Sequence, residues 1–146
     1  MKKRRIAFAL FIVLCMGCFT FPARAANIQS ERIDFEDGSY AIVTTVTSNV
    51  QRSVTGDSKI YTHYDGNDKR CFSYILYATF SYDGEESDAE TVDYDVDIYQ
   101  RGWDISSHSE WTSGDTAYGR AVFTDPDGGR HSVSLSLTCD EDGNVS

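Results

Sequence analysis

From Ile33 to Thr138 the chain is written with a period of two. Val92, Tyr94, Val96 and Ile98 alternate with Asp93, Asp95 and Asp97; Val133, Leu135 and Leu137 alternate with Ser132, Ser134, Ser136 and Thr138. Successive side chains of a strand point to opposite faces, so this pattern gives each segment one apolar and one wetted face. No stretch after residue 25 sustains the 3.6-residue apolar period of a helix.

The alternation predicts strands around Ile33–Phe35, then Tyr40–Val46, Ile60–Tyr64, Cys71–Tyr82, Val92–Tyr99, Trp103–Trp111, Thr116–Thr124 and His131–Thr138. Cys71–Tyr82 is the strongest and is expected at the centre. Asp37-Gly38, Asp65–Asp68, Asp83-Gly84, Ser113–Asp115 and Asp125–Gly129 read as turns, and Glu85–Glu90 reads as a solvated acidic loop. Seven or eight short strands with turns between them predict an all-β fold. The expected form is a single antiparallel β-sandwich, immunoglobulin-like or jelly-roll-like, with a small β-barrel as the alternative.

The first 25 residues read as a signal peptide. Lys2–Arg5 is a positive n-region, Ile6–Phe21 an uncharged and mostly apolar run, and Ala23-Arg24-Ala25 a small-x-small cleavage site. The run is shorter than the roughly 20 residues of a spanning helix. The expected product is residues 26–146, one domain in length, secreted and not inserted in a membrane. All 23 acidic residues fall in that part, whereas five of the 13 basic ones do not, so its formal charge is 8 − 23 = −15 against −10 for the whole chain. A surface of that sign repels phosphate backbones and argues against nucleic acid as a partner.

Cleavage leaves two cysteines, Cys71 and Cys139. An oxidising compartment predicts that they pair, closing a loop worth about 4 kcal/mol; two free structural thiols are the alternative. Cys139 shares parity with Val133, Leu135 and Leu137, whereas Cys71 is out of parity with Phe72, Tyr74 and Leu76. Either the Cys71 strand is buried on both faces or a bulge near Arg70 shifts its register. Pairing would tie the final strand to the start of the Cys71 strand.

Candidate sites are few. Asp140 and Asp142 could ligate Ca2+, but Thr138 stands where an EF-hand loop needs a carboxylate, and acidic turns without metal are commoner. Asp93, Asp95 and Asp97 share one strand face, about 6.8 Å apart in succession, which suits a cation groove, a glycosidase carboxylate pair or a charged edge that discourages aggregation. His63, His108 and His131 lie in no catalytic motif; His131 reads as structural and His108 as solvated. These patterns predict no enzyme and require no cofactor. Tyr118 and Arg120 oppose the small row Ala117, Gly119 and Ala121, so they are expected to face outward; Tyr61, Tyr99, Trp103 and Trp111 are further candidates for a binding surface. Trp103 and Trp111 are large for so small a domain and read first as core anchors. Asn144-Val145-Ser146 fits the N-glycosylation pattern, which the bacterial-type n-region sets aside.

Trp111, the stretch Ser113–Gly119, the Ala121–Phe123 step, Leu137–Asn144 and Phe80–Gly84 together resemble short secreted β-rich proteins of Gram-positive, Clostridia-type bacteria, a family of unknown function. The resemblance implies secretion and a β fold and carries over no catalytic residue. Charge, aromatics and export together suit a non-enzymatic domain that binds an envelope glycan or an extracellular protein. The rivals are a secreted antagonist or toxin-like protein and a calcium-stabilised structural module.

Overall fold

The computed structural model describes residues 26–48 and 54–146; the expected signal peptide lies outside them. Eight strands follow one another: β1 (Asn27–Asp34), β2 (Tyr40–Thr47), β3 (Val54–Tyr64), β4 (Arg70–Tyr82), β5 (Ser87–Ile98), β6 (Asp104–Ser113), β7 (Thr116–Thr124) and β8 (Arg130–Thr138). No helix occurs among the described residues. The chain is all-β, as the alternation predicts.

The strands form two antiparallel sheets, ordered β1-β2-β3-β4-β5 and β6-β7-β8. Every hydrogen-bonded neighbour is also the neighbour in sequence. The immunoglobulin and jelly-roll orders require Greek-key crossovers, and here two plain meanders stand in their place. The reason is local: the turns at 35–39, 65–69, 83–86, 114–115 and 125–129 are short and return the chain beside the strand it left, whereas 99–103 carries it from β5 to the second sheet. The expected acidic loop Glu85–Glu90 is shorter than predicted, because β5 begins at Ser87.

The sheets meet through the inner faces of β3, β4 and β5 on one side and β6, β7 and β8 on the other. β4 lies inside its sheet, as its apolar length foretold, and buries Phe72, Tyr74, Leu76, Ala78 and Phe80. Across from them β7 buries Ala117 and Ala121 and sets Gly119 under Tyr74 and Leu76. A Cβ on Gly119 would lie 2.6 Å from the Tyr74 hydroxyl and from Leu76 Cδ1, so the small row is what admits the large rings. One end of the core is a ring cluster centred on Phe72, whose centroid lies 3.8 Å from Phe123, 5.0 Å from Trp103, 5.3 Å from His63 and 6.0 Å from Tyr61.

The expected disulfide is absent. Cys71 and Cys139 are both free and buried. The β3–β4 register jumps between His63↔Phe72 and Tyr64↔Arg70, so Cys71 is the bulged residue. The start of β4 is also buried on both faces, Cys71 and Ser73 as well as Phe72 and Tyr74, so both alternatives that the parity of Cys71 left open are met there. Cys71 sits at the Phe72 end of β4, where its carbonyl accepts the N–H groups of Tyr99 and Gln100. Cys139 lies at the far end, where its carbonyl accepts a 2.6 Å hydrogen bond from Ser87, the residue opposite Tyr82. The length of β4 separates them, on the order of 30 Å at about 3.3 Å per residue. A disulfide spans at most about 7 Å between Cα atoms. β8 pairs with β7 rather than with the start of β4, and this is what sends Cys139 to the other end.

What holds the tail is a turn. Asp140 donates its N–H to the Asn144 carbonyl, and Asp140 Oδ1 accepts the N–H groups of Asp142 and Asn144. Thr138 and Ser146 then exchange both backbone hydrogen bonds, at 3.1 and 3.0 Å. The same five-residue turn recurs at Asp65–Lys69 and Asp125–Gly129, again with the first Asp accepting two backbone N–H groups. The fourth residue in each is left-handed: Asp68 (φ 61), Gly128 (φ 86) and Gly143 (φ 83). Part of the chain's acidity is therefore turn chemistry.

Candidate functional site

Residues directly opposite on paired strands share a face. In the three-stranded sheet Trp111 opposes Tyr118, which opposes Ser136; Ser109 opposes Arg120, which opposes Ser134. The buried partners Ala117, Ala121, Val133, Leu135 and Leu137 occupy the other face. Trp111, Tyr118 and Arg120 therefore stand together on the outer face of this sheet, flanked by the hydroxyls of Ser134 and Ser136. The indole and phenol rings stack at 5.1 Å with 8° between their planes, and the Arg120 guanidinium lies 5.3 Å from the indole centroid. That distance is within cation–π range. Trp111 is 37% exposed, so the expectation that it anchors the core is overturned. A strand residue follows the parity of its partners, and opposite Tyr118 that parity points to solvent.

The other candidates disperse. Tyr61 is buried in the ring cluster, where loss of water pushes its hydroxyl up to about 12. Trp103 packs half-buried against Phe72 and His131, as an anchor should. Tyr99 is exposed at the Cys71 end, 5.7 Å from the Arg70 guanidinium. Asp93, Asp95 and Asp97 line the exposed face of β5, an edge strand, opposite Tyr77, Ile75 and Ser73 of β4. Asp93 joins Tyr77, Val46 and Thr91 in lining a concavity of about 410 Å³ on that outer face.

Asp140 and Asp142 do not form a ligand pair. Both Asp140 oxygens accept hydrogen bonds from within the turn, including two from the Asn144 amide. Those bonds, the Asn144 amide first, hold the carboxyl below its ordinary range. Asp140 also lines a hollow of about 550 Å³ with Glu85, Glu86, Asp88, Asp115 and Glu141. No group of three or more His, Cys, Asp or Glu among the described residues is arranged to hold a metal ion.

Both thiols are pushed up to about 11, first by burial, which disfavours a reactive thiolate.

Pattern reading missed one group. The Tyr74 hydroxyl donates to Glu110 Oε1 at 2.9 Å, the Glu110 carboxylate lies 3.2 Å from His108 Nδ1, and His108 Nε2 lies 2.8 Å from the Tyr94 hydroxyl. His108 is exposed, as expected, and is also held at both ring nitrogens. A bulge between Ile105 and Ser107 turns it inward, opposite buried Ala121. An orienting carboxylate, an imidazole and a hydroxyl in line resemble a general-base relay. None of these groups lines either concavity, and the chain of bonds ties β4 and β5 to β6 across the two sheets.

No family model, curated protein or solved structure matches the chain.

Proposed function

We propose that this chain is an exported β-sandwich binding domain, without enzymatic activity, that holds an envelope glycan on the outer face of its three-stranded sheet. One observation carries the reading: Trp111, Tyr118 and Arg120 converge there, with serine hydroxyls beside them. Exposed aromatic surface packs against the apolar C–H faces of sugar rings, while hydroxyls and a guanidinium meet sugar oxygens. On this face of a strongly acidic chain, Arg120 stands among uncharged groups. An extracellular protein that presents a similarly amphipathic surface is the neighbouring case.

A pull-down against insoluble cell walls, mucin and common polysaccharides tests it, with calcium and with chelator. Retention on one polymer that falls about tenfold or more in Trp111→Ala and Arg120→Ala, with folding intact, supports the reading. Retention equal in both variants, or none on any polymer, refutes it. Loss in chelator alone would move the site to the acidic turns.

A further inference from the structure

The two sheets are unequal, and the inequality leaves a lane. Cross-sheet packing sets β6 on β5, β7 on β5 and β4, and β8 on β4 and β3. β1 and β2 extend past β8. Their inward-facing residues form a floor: Ile33 and Glu31 of β1, which oppose Ala41 and Val43 of β2, with Thr45 next along that strand. Ile33 is 39% exposed there.

The wall of the lane is the free edge of β8. Backbone groups of a strand point alternately to either side. Thr138 turns its N–H and C=O away from β7, toward Ser146. The ladder with β7 runs without a bulge, so Ser136, Ser134 and Ser132 point the same way. Lys59 confirms the direction, because its ammonium reaches the Ser136 carbonyl at 2.9 Å. Among the described residues, no strand pairs with Ser132 and Ser134 on that side.

Edges invite further strands unless they are blunted by charge. The free-edge strand β5 carries Asp88, Glu90, Asp93, Asp95 and Asp97; β1 carries Glu31, Arg32 and Asp34; β6 carries Asp104 and Glu110. β8 from Ser132 to Thr138 carries no charge of its own, and the Lys59 ammonium reaches its edge at the Ser136 carbonyl. We propose that this edge receives an extended, cationic polypeptide strand from a partner protein, which adds to β8 as the fourth strand of the smaller sheet. Main-chain bonds to Ser132 and Ser134, and to the Ser136 N–H beside the carbonyl that Lys59 holds, supply affinity. Alternate apolar residues of the guest cover Ile33 and Val43. Its basic residues are steered there by the acidic body and point away from the lane, where Glu31 already faces the Lys59 ammonium. The site is the edge and inner floor, separate from the outer aromatic face.

The probe is a short blocked peptide alternating lysine and valine, titrated into 15N-labelled protein and followed by amide shifts. Shifts concentrated on Ser132, Ser134 and Ser136 and on the Ile33–Thr45 floor are expected. The same peptide with a central proline should bind about tenfold more weakly or worse, since it loses a ladder donor. Ser134→Pro should weaken binding comparably while leaving the ladder with β7 whole, because the lost N–H points away from it. Ile33→Lys, on the exposed floor, is a second variant that removes apolar cover and repels the guest. Trp111→Ala should change nothing. Shifts centred on Asp93–Asp97 would mean attraction by charge alone and overturn the proposal. So would unchanged binding by both Ser134→Pro and Ile33→Lys, or equal binding of a glutamate–valine peptide. Concentration-dependent dimerisation that protects the Ser132–Ser136 amides would replace the guest with a second copy and overturn it as well.

Discussion

The two ends of the stacked sheets each bury one free thiol, yet they are held by different physics. At the Cys71 end, Phe72, Phe123, Tyr61, Trp103, His63 and His131 pack ring on ring. At the Cys139 end, a carboxylate-capped turn folds Val145 and Ser146 back onto Cys139 and Thr138. The first end draws its strength from buried apolar area and the second from satisfied backbone groups. The first should therefore be costly to hollow out. The second should be sensitive to backbone geometry.

The largest expected effect is at the ring cluster. Phe72→Ala should cost about 3–5 kcal/mol in urea denaturation followed by Trp fluorescence. A loss below about 1 kcal/mol would show that the cluster relaxes to fill the hole.

The turn glycines sharpen the contrast. Gly128 is left-handed, and a Cβ there meets nothing within 4 Å. Gly128→Ala should cost about 1–2 kcal/mol from backbone strain alone. Gly143 is left-handed as well, but a Cβ there runs into the Tyr82 ring. Gly143→Ala should lower Tm by more than Gly128→Ala does. Equal losses would mean that Tyr82 swings aside.

Acid separates the buried imidazole from the turn carboxylates next. His63 is 3% exposed, its Nδ1 is buried without a partner, and burial first, then the nearby His131, lowers its pKa from 6.5. A folded-state pKa below the unfolded value means that the unfolded chain binds the proton more readily. Stability is thus full above pH 6.5 and falls as pH drops from there toward the lowered value. The turn carboxylates Asp65, Asp125 and Asp140 are held below 3.8, so their contribution is lost only as pH falls further, through those lowered values. Tm against pH should decline in two stages, and His63→Phe should remove the first while leaving the second. A single stage below pH 4 in the parent protein would refute the assignment.

The smallest effect is a null one. Reducing agent should leave Tm unchanged, because neither end depends on a disulfide. A drop of several degrees would place Cys71 and Cys139 together after all.

Much of the fold was legible in the residues. The inward row Phe72, Tyr74, Leu76 and Phe80 and the small row Ala117, Gly119 and Ala121 were readable as faces, and so was the outward placement of Tyr118 and Arg120. Strand pairing was not. The disulfide expectation rested on export and on a count of two cysteines; it required β8 to lie beside the start of β4, and nothing in the period of β8 says which strand it joins. The His108 relay was hidden for a related reason: a one-residue bulge at Ser106 inverts parity, and no pattern of single residues marks it. The recurring Asp turns were visible as loops, but their shared carboxylate bonding was not.

The sequence by itself determined that the chain is all-β, where most strands turn, and which side chains of each strand look the same way. Those are local consequences of steric periodicity and turn chemistry. The tertiary structure alone decided that three strands cover part of a five-stranded sheet, that Trp111 meets Tyr118 and Arg120 in solvent, and that the two cysteines lie a strand's length apart. These depend on which strands become neighbours, a choice made by packing the large rings of β4 against the small row of β7.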